Sequence, residues 1–337
     1  MAEQGLIGDV PLIAMIRGHL TENVHRGRIA VVSADTGSVL FSAGEAGALA
    51  YFRSTAKPIQ AANGLMNGLA ERYGFEDRHL ALMAASHRGS QEQIAALDEM
   101  LAMTGIGEDR LAVHPTLPVG SKQRDAWVAA GSPTRKLLHT CAGKHLGVLA
   151  YSAMRGWPLD GYIQPDHPAQ REIVALLQAW TGTGEEETAI GRDGCGFPVA
   201  AMPLTAIALA YGRLAAPETL ADERAAAAAR RIGGAMNAYP DYVEGKGRLA
   251  SLLLGDSNIV AKSGAHGLFA IGLRREKLGI AFTVSDGTEV AWPYIATALL
   301  ERFGGASAET LARLRERFPA EFRNDVGETA GRWEALF

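Results

Sequence analysis

The sequence predicts a mixed α/β protein of the α+β class, in which one sheet is sandwiched by helices. Strand-like runs lie near the start of the chain and again after residue 258, while helical patterns fill the middle and follow the last strands. A β-hairpin alone is only marginally stable in water, so the early and late strands are expected to pair within one sheet. With 337 residues and no low-complexity linker, we expect a single two-lobed domain over residues 1–337.

The N-terminal part of the chain predicts a hairpin followed by a helix. Within residues 28–41, two β-rich runs flank a turn of short polar residues and glycine at 35–37. Apolar residues then repeat with helical period over residues 58–73. Pro58 suits the first turn of this helix, and Gly74 provides its end.

The rest of the chain alternates between helical and strand-like patterns. Residues 198–211 are almost wholly apolar and predict a buried helix, with Pro203 as its start. The other predicted helices cover residues 91–104, 144–154, 169–180, 220–236, 289–303 and 309–318. Predicted strands cover residues 259–261, 267–273 and 278–284, and a short apolar run at 80–85 ends at Ser86.

Composition and charge argue against several classes of protein. The chain has 33 Lys and Arg residues against 37 Asp and Glu residues, so it lacks the basic excess of a nucleic-acid-binding protein. No stretch reaches the roughly 18–20 apolar residues that a membrane span needs. The N-terminus carries Glu3 and Asp9 where a secretory signal would carry cations. We therefore expect a cytoplasmic protein without a targeting segment, and neither nucleic acid nor membrane as a partner.

Lysine is scarce among the basic residues, and Lys57 follows Ser54 by three positions. Only seven of the 33 basic residues are Lys, and only an amine can lose its proton at accessible pH. The spacing at a predicted helix start places the hydroxyl and the amine on one face, where the helix favours a developing oxyanion. A neutral Lys57 could then take the Ser54 proton as a general base. The alternative is a chance match, with Ser54 as a plain N-cap.

A second pair of signals extends this pattern. Lys-Ser-Gly at 262–264 follows a strand-like run and fits the K-[ST]-G element that accompanies S-x-x-K in penicillin-binding proteins and serine β-lactamases. These enzymes place a further serine between the two motifs, and Ser86 lies in that order, although His87 and Arg88 replace the Asp and Asn of the S-D-N form. Ser86 could also be a plain loop serine at the end of a strand. The three elements in order favour a Ser/Lys amidohydrolase of β-lactamase-like fold.

The two cysteines form a third candidate site. Cys141 and Cys195 each lie close to glycines, which indicates tight backbone and close approach to a ligand, although two unpaired buried thiols are the simpler interpretation. A metal site needs a third ligand, which His139, His145 or Lys144 could supply, and zinc is the usual metal for such soft donors. A redox pair is disfavoured by the expected cytoplasmic location.

Together these segments resemble the class 3 L-asparaginases, the Rhizobium etli type, over nearly the whole chain. The matching segments are Arg53-Ser-Thr-Ala-Lys-Pro, Cys-x-Gly-Lys-His at 141–145, His-Pro-x-Gln at 167–170, Asp-Gly-Cys-Gly-x-Pro at 193–198, Val-Ala-Lys-Ser-Gly-Ala-His-Gly at 260–267, and a tail with Asn324, Gly327 and Gly331. The chain departs from the family pattern at Thr55, Thr140 and Ala142, which leaves every proposed catalytic group and ligand in place.

The resemblance implies a fold and a reaction. The fold would be serine β-lactamase-like, with a central, mainly antiparallel sheet, and the reaction would be hydrolysis of L-asparagine to L-aspartate and ammonia. Two Ser–Lys pairs would meet in one site, namely Ser54 with Lys57 and Ser86 with Lys262. Ser54 would form the acyl-enzyme. Crowding the two lysines into one pocket is expected to lower both pKa values by like-charge repulsion.

The resemblance also implies a metal, substrate contacts and an assembly. One zinc ion would lie beside the active site, with the ligands Cys141, Lys144 and Cys195. The substrate would be bound by Arg53, His145 and Asp193. L-Asparagine is a zwitterion, so the forked donors of an arginine suit its carboxylate and an aspartate suits its ammonium. The family is typically homodimeric.

Two other functions remain open at this point. A peptidase, esterase or β-lactamase of the same superfamily would react with a penicillin or an activated ester and would not need the cysteines. A metal-dependent binding protein that lost turnover would be stabilised by its ligand without forming product.

Overall fold

The computed structural model, which describes residues 8–337, pairs strands from both ends of the chain in one large sheet. The strands are β1 (Val10–Arg17), β2 (Leu20–Ser33), β3 (Val39–Ala43), β4 (Leu49–Tyr51), β5 (Ala189–Arg192), β6 (Pro198–Pro203), β7 (Ile259–Ser263), β8 (Phe269–Leu273), β9 (Leu278–Val284), β10 (Glu321–Arg323) and β11 (Thr329–Ala335). The large sheet has the order β10-β11-β1-β2-β9-β8-β7, with β3 beside β2, and a smaller sheet has the order β4-β6-β5. Every pair is antiparallel. The predicted fold class is confirmed.

Helices cover both faces of the large sheet. They are α1 (Lys57–Leu65), α2 (Leu69–Tyr73), α3 (Asp77–Met83), α4 (Gln91–Thr104), α5 (Ser121–Ala129), α6 (Ala142–Met154), α7 (Pro168–Thr181), α8 (Leu204–Ala215), α9 (Glu223–Ala238), α10 (Pro240–Val243), α11 (Leu249–Leu254), α12 (Trp292–Phe303) and α13 (Ala308–Arg317). A turn of 3-10 helix at Arg53–Ala56 leads directly into α1. Within residues 8–337, no helix is both long enough and apolar enough to span a membrane.

The early and late strands pair as predicted. In the hairpin, Ile29 of β2 lies opposite Ala43 of β3, and on its other edge Ile29 lies opposite Phe282 of β9. The predicted late strands correspond to β7, β8 and β9, with boundaries shifted by a few residues. No local pattern predicts β10 and β11, which extend the sheet beyond β1.

Two of the predicted helices differ from the structure. Gly68, with a φ of 81°, interrupts the helix predicted over residues 58–73 and separates α1 from α2, while Gly74 ends α2 as expected. The helix predicted over residues 198–211 is wrong in its first half, which forms β6. This strand is central in the smaller sheet and largely buried, and a short apolar run suits such a strand as well as a buried helix. Pro203 is the N-cap of α8, as predicted.

The large sheet separates two hydrophobic cores, and glycines let one helix lie very close to it. In β9, Ala281 faces the core that contains α8, whereas Ile280 and Phe282 face the core that contains α12. A Cβ atom on Gly279 would lie 1.7 Å from the carbonyl oxygen of Ala208 in α8. Because no side chain fits there, α8 packs directly on the backbone of the sheet.

The end of the large sheet at β7 receives the segments that carry the predicted catalytic residues. β7 forms an edge of the sheet, and the turn at Arg53–Ala56 packs against it. The loop that follows α3 passes Ser86 close to α10, since the backbone N–H of Ser86 donates a 2.8 Å hydrogen bond to the carbonyl of Val243. Three distant parts of the chain therefore meet beside one strand.

Candidate active site

The hydroxyl of Ser86 lies between two lysine amines from distant parts of the chain. Nζ of Lys57 is 3.1 Å from Oγ of Ser86, and Nζ of Lys262 is 3.0 Å from the same oxygen. Both lysines are almost fully buried, with 1% and 0% of their surface exposed. Two cations are rarely buried together without a compensating group, so the arrangement points to amines that can be neutral.

Each of these three side chains is held by its own element. Lys57 opens α1, and its amine also donates a 2.6 Å hydrogen bond to the carbonyl of Ala85. Lys262 lies in β7, and its amine donates to the carbonyl of Ser263 at 2.8 Å and to Oγ of Ser263 at 3.1 Å. The three contacts of Lys262 match the three donors of an ammonium group, or two donors and one acceptor of a neutral amine.

Ser54 occupies a different position from the one its predicted pairing implies. It lies half-buried in the 3-10 turn before α1, and the structure of residues 8–337 shows no hydrogen bond between its Oγ and Nζ of Lys57. The Lys57 amine turns to Ser86 instead. Lys57 therefore follows Ser54 in sequence but contacts Ser86 in space, and the hydroxyl of Ser86 contacts the amines of both predicted pairs.

Burial lowers the pKa of both lysines. For Lys262, burial is the largest cause and the charge of Lys57 is the next, and together they lower its pKa to about 7. For Lys57, burial again lowers the pKa most, while Cys141 opposes this change and the charge of Lys144 adds to it. The expected direction is therefore found for both lysines, but burial is the largest cause in each, and the repulsion between the two lysines contributes only to the lowered pKa of Lys262. A lysine with a pKa near 7 is suited to act as a general base at neutral pH.

An ion pair beside Ser54 presents one cation and one anion at the same place. Nη2 of Arg53 is 3.1 Å from Oδ1 of Asp193, and both side chains are mostly buried. Arg53 has a φ of 48°, a left-handed conformation that costs a non-glycine residue of the order of 1–3 kcal/mol and often marks functional sites. A zwitterionic ligand could exchange into this pair, since its carboxylate matches the arginine and its ammonium matches the aspartate.

The two cysteines and Lys144 form a buried cluster. Nζ of Lys144 is 2.8 Å from Sγ of Cys195, which in turn is 3.7 Å from Oδ2 of Asp193. A hydrogen bond between the two thiols lowers the pKa of Cys141 well below its usual range and raises that of Cys195. Burial opposes the charged form of Lys144, but Cys141 and Cys195 together raise its pKa. The cluster thus combines one sulfur whose charged form is favoured, one whose neutral form is favoured, and an amine whose protonated form is favoured.

His145 follows Lys144 in the chain and is held by aromatic side chains. Its Nδ1 is 2.6 Å from the hydroxyl of Tyr162, and its ring centroid is 4.4 Å from that of Phe197. Burial, followed by the charge of Lys144, lowers the pKa of His145 well below its usual range, so the ring is neutral. Among residues 8–337, its buried Nε2 has no hydrogen-bond partner. This atom is the polar group that His145 could offer to a ligand.

A cleft of about 760 Å³ opens beside Arg53, with walls that include Tyr51, His266 and Leu268. The cleft lies between the smaller sheet and the large sheet, since Tyr51 ends β4 and Leu268 precedes β8. Its volume is large enough for a ligand the size of an amino acid, and Arg53 forms part of its wall.

A family model described as L-asparaginase II matches residues 13–335 of the sequence. The chain belongs to the L-asparaginase II family. The predicted resemblance to class 3 L-asparaginases is thereby confirmed, and the protein is an amidohydrolase of asparaginase type. Among curated proteins, no sequence matches the chain significantly.

The chain is also similar to solved structures of other hydrolases. A beta-lactamase from Mycobacterium bovis shares 14% identity at a TM-score of 0.42, over 82% of this chain and 94% of that one. A putative beta-lactamase from Bacteroides dorei gives the same identity and TM-score, over 82% and 92% of the two chains. A Bacillus glutaminase shares 13% identity at a TM-score of 0.37, over 83% and 91%. Similarity at this level says nothing about the activity of this family member.

The thiol cluster has a donor set that fits the zinc ion expected from the resemblance. Among residues 8–337, no group of three or more His, Cys, Asp and Glu side chains could hold a metal ion. A site here therefore requires the amine of Lys144 as a ligand beside Cys141 and Cys195. Thiolates and a neutral amine are soft donors that suit zinc, and a bound metal would displace the proton that the thiols stabilise on Lys144.

Sequence reasoning missed a buried acid beside the lysines. Oε1 of Glu244 accepts a 3.1 Å hydrogen bond from Oγ of Ser263, whose hydroxyl also contacts the amine of Lys262. Glu244 follows the short helix α10 and is 2% exposed. It belongs to no motif and to no periodic pattern, so nothing in the sequence could distinguish it from a surface acid.

Proposed function

We propose that this protein is an L-asparaginase, which hydrolyses L-asparagine to L-aspartate and ammonia through an acyl-enzyme. The observation that carries the proposal is the contact of Ser86 with two buried lysine amines, Lys57 and Lys262, in a member of the L-asparaginase II family. Hydroxyl groups become nucleophiles or proton carriers when a neutral amine lies within hydrogen-bond reach.

Substrate binding rests on the ion pair of Arg53 and Asp193. The α-carboxylate of L-asparagine would replace Asp193 on the arginine, and the α-ammonium would replace Arg53 on the aspartate. Because both ends of the pair find new partners, the exchange leaves no buried charge unpaired. The carboxamide would then lie towards Ser54, the residue next to Arg53 in the chain.

In the acylation step, Oγ of Ser54 attacks the carboxamide carbon of the substrate. The serine proton passes to the neutral amine of Lys57. As the C–N bond breaks, the protonated Lys57 gives this proton to the departing nitrogen, so ammonia leaves and the amine is neutral again. The product of this step is an aspartyl ester on Ser54.

In the second step, water attacks the ester carbonyl and releases L-aspartate. The proton that the water loses passes through the same amines to the Ser54 oxygen, as the ester bond to that oxygen breaks. Ser86 would connect Lys57 to Lys262, because its hydroxyl can accept a proton from one amine while it donates to the other.

Zinc would be held by Cys141, Lys144 and Cys195, close to Asp193. A zinc ion bound there supplies a fixed positive charge beside the substrate site. The residues of the chain still carry out each proton transfer proposed above.

Ammonia release from L-asparagine by the purified protein tests the proposal. We expect turnover by the wild-type chain, and a loss of at least about 10³-fold in Ser54→Ala and in Ser86→Ala. Ser38→Ala, in the exposed turn of the hairpin, serves as a control that keeps wild-type activity. Folded wild-type protein that releases no ammonia would refute the proposal.

The same assay separates the two alternatives. Acylation by a penicillin or an activated ester, without turnover of L-asparagine, would indicate another Ser/Lys hydrolase. Stabilisation by L-asparagine without ammonia would indicate a binding protein. The homodimer stays a prediction, to be tested by light scattering.

A further inference from the structure

Glu244 is a buried carboxylate that Ser263 links to the Ser–Lys cluster, and the proposed reaction does not use it. It lies at 2% exposure directly after α10, and a carboxylate buried this deeply needs charged or hydrogen-bonding partners. Its partners are one hydroxyl group and two guanidinium groups. Oγ of Ser263 donates to Oε1 at 3.1 Å, and the guanidinium groups of Arg88 and Arg248 are each 3.5 Å from the same oxygen.

These contacts join the strand of Lys262 to the loop of Ser86. Ser263 is the next residue after Lys262 in β7, and its hydroxyl lies 3.1 Å from the Lys262 amine. Arg88 is two residues after Ser86 in the same loop. The preceding residue, Val243, accepts the backbone N–H of Ser86 at 2.8 Å. The pair Val243–Glu244 therefore contacts both halves of the second Ser–Lys pair.

We propose that Glu244 is a positioning residue for catalysis, which holds the amine of Lys262 and the hydroxyl of Ser86 to each other through Ser263 and Arg88. This inference rests on the proposed Ser–Lys reaction. Among residues 8–337, no hydrogen bond joins Glu244 to Ser54, to Ser86 or to the two lysine amines, so it acts only through these neighbours.

The carboxylate also sets the charge around Lys262. The charged groups that influence the amine are Lys57 and Arg88, which disfavour its protonated form, and Glu244 and Cys141, which favour it. Glu244 itself stays ionised, because Lys262, Arg248 and Arg88 together outweigh the cost of its burial and lower its pKa. Removing the negative charge of Glu244 is therefore expected to make Lys262 lose its proton at lower pH.

Glu244→Gln tests this role with little change of shape. The amide oxygen can still accept from Ser263, whereas the charge is gone. We expect kcat to fall about tenfold with little change in KM, and the acid limb of the pH profile to move to lower pH by about one unit. Glu289→Gln is the matched control, because Glu289 pairs with the same Arg248 and no contact joins it to Ser263 among residues 8–337.

A second variant and a second readout keep the inference testable. If Glu244→Gln does not fold, Ser263→Ala removes the link to Lys262 and leaves the charge, so kcat should fall without the full pH shift. The pKa of Lys262, measured by NMR on lysine-labelled protein, reports the same effect without any turnover. This measurement separates a failure of the inference from a failure of the proposed function. Folded Glu244→Gln with wild-type kcat and an unchanged Lys262 pKa would overturn it.

Discussion

At the scale of single residues, the site depends on side chains that can be both buried and neutral. Lys57 and Lys262 meet at Ser86 inside the protein, where two permanent cations would be costly. Arginine keeps its charge at all accessible pH values and could not fill either position. The need for a neutral amine thus explains why these two positions carry lysine in a chain whose basic residues are mostly arginine.

The pKa of Lys262, about 7, predicts how activity depends on pH. In the proposed reaction Lys262 takes part in proton transfer with Lys57 through Ser86, so its amine must be neutral. The neutral form of Lys262 dominates above its pKa and is lost as the pH falls through it. We expect kcat/KM to be level above about pH 8 and to fall close to tenfold per pH unit below about pH 6. Lys262→Arg should be inactive at every pH. A profile that is flat from about pH 5 to 9 would contradict a role for the neutral amine.

The thiol cluster predicts that zinc co-purifies with the protein. Elemental analysis should find one zinc ion per chain, and Cys141→Ala or Cys195→Ala should lose it because each removes a soft ligand. Ser86→Ala, which leaves the cluster intact, is the control and should retain the metal. Wild-type protein that is purified from cells grown with zinc and contains no metal would refute the zinc site. The roles proposed for the serines and lysines would be unaffected.

At the scale of helices and strands, the sequence predicts the elements that are defined by neighbouring residues in the chain. Turn and capping residues predict three such features, which are the hairpin of β2 and β3, the end of α2 at Gly74 and the start of α8 after Pro203. The prediction of helix for the residues of β6 is wrong because their continuous apolar run shows neither a helical nor a strand period. Only the place of this segment between β4 and β5 makes it a strand. The chain also carries no local signal that pairs β11 with β1.

The close packing of α8 on the sheet predicts a large effect of one added methyl group. Gly279→Ala would place its Cβ atom 1.7 Å from the carbonyl oxygen of Ala208, so α8 must move away from β9. We expect the free energy of unfolding to fall by about 2–3 kcal/mol or more, as judged by denaturant titration. Gly234→Ala, on the exposed face of α9 with no atom within 4 Å, is the control and should be neutral or slightly stabilising. Equal stability of the two variants would contradict the packing described here.

At the scale of the whole molecule, the fold brings together residues 57, 86 and 262. The order of motifs along the chain predicted that these residues share a site, and the structure places them in contact. The exchange of partners, in which Lys57 contacts Ser86 and not Ser54, could not be predicted because spacing along a helix says nothing about a loop that arrives from elsewhere. Glu244 could not be predicted either, since its role depends on three contacts across the fold.

Trapping of the acyl-enzyme identifies the serine that acts as nucleophile. The protein would be mixed with a β-ester of L-aspartate or with L-aspartate β-hydroxamate, chosen to acylate the enzyme faster than the acyl-enzyme is hydrolysed, then quenched in acid, digested and analysed by mass spectrometry. We expect an aspartyl adduct on the peptide that contains Ser54, and no adduct in Ser54→Ala. An adduct on Ser86 would reverse the roles of the two serines, and turnover without any adduct would contradict covalent catalysis by this cluster.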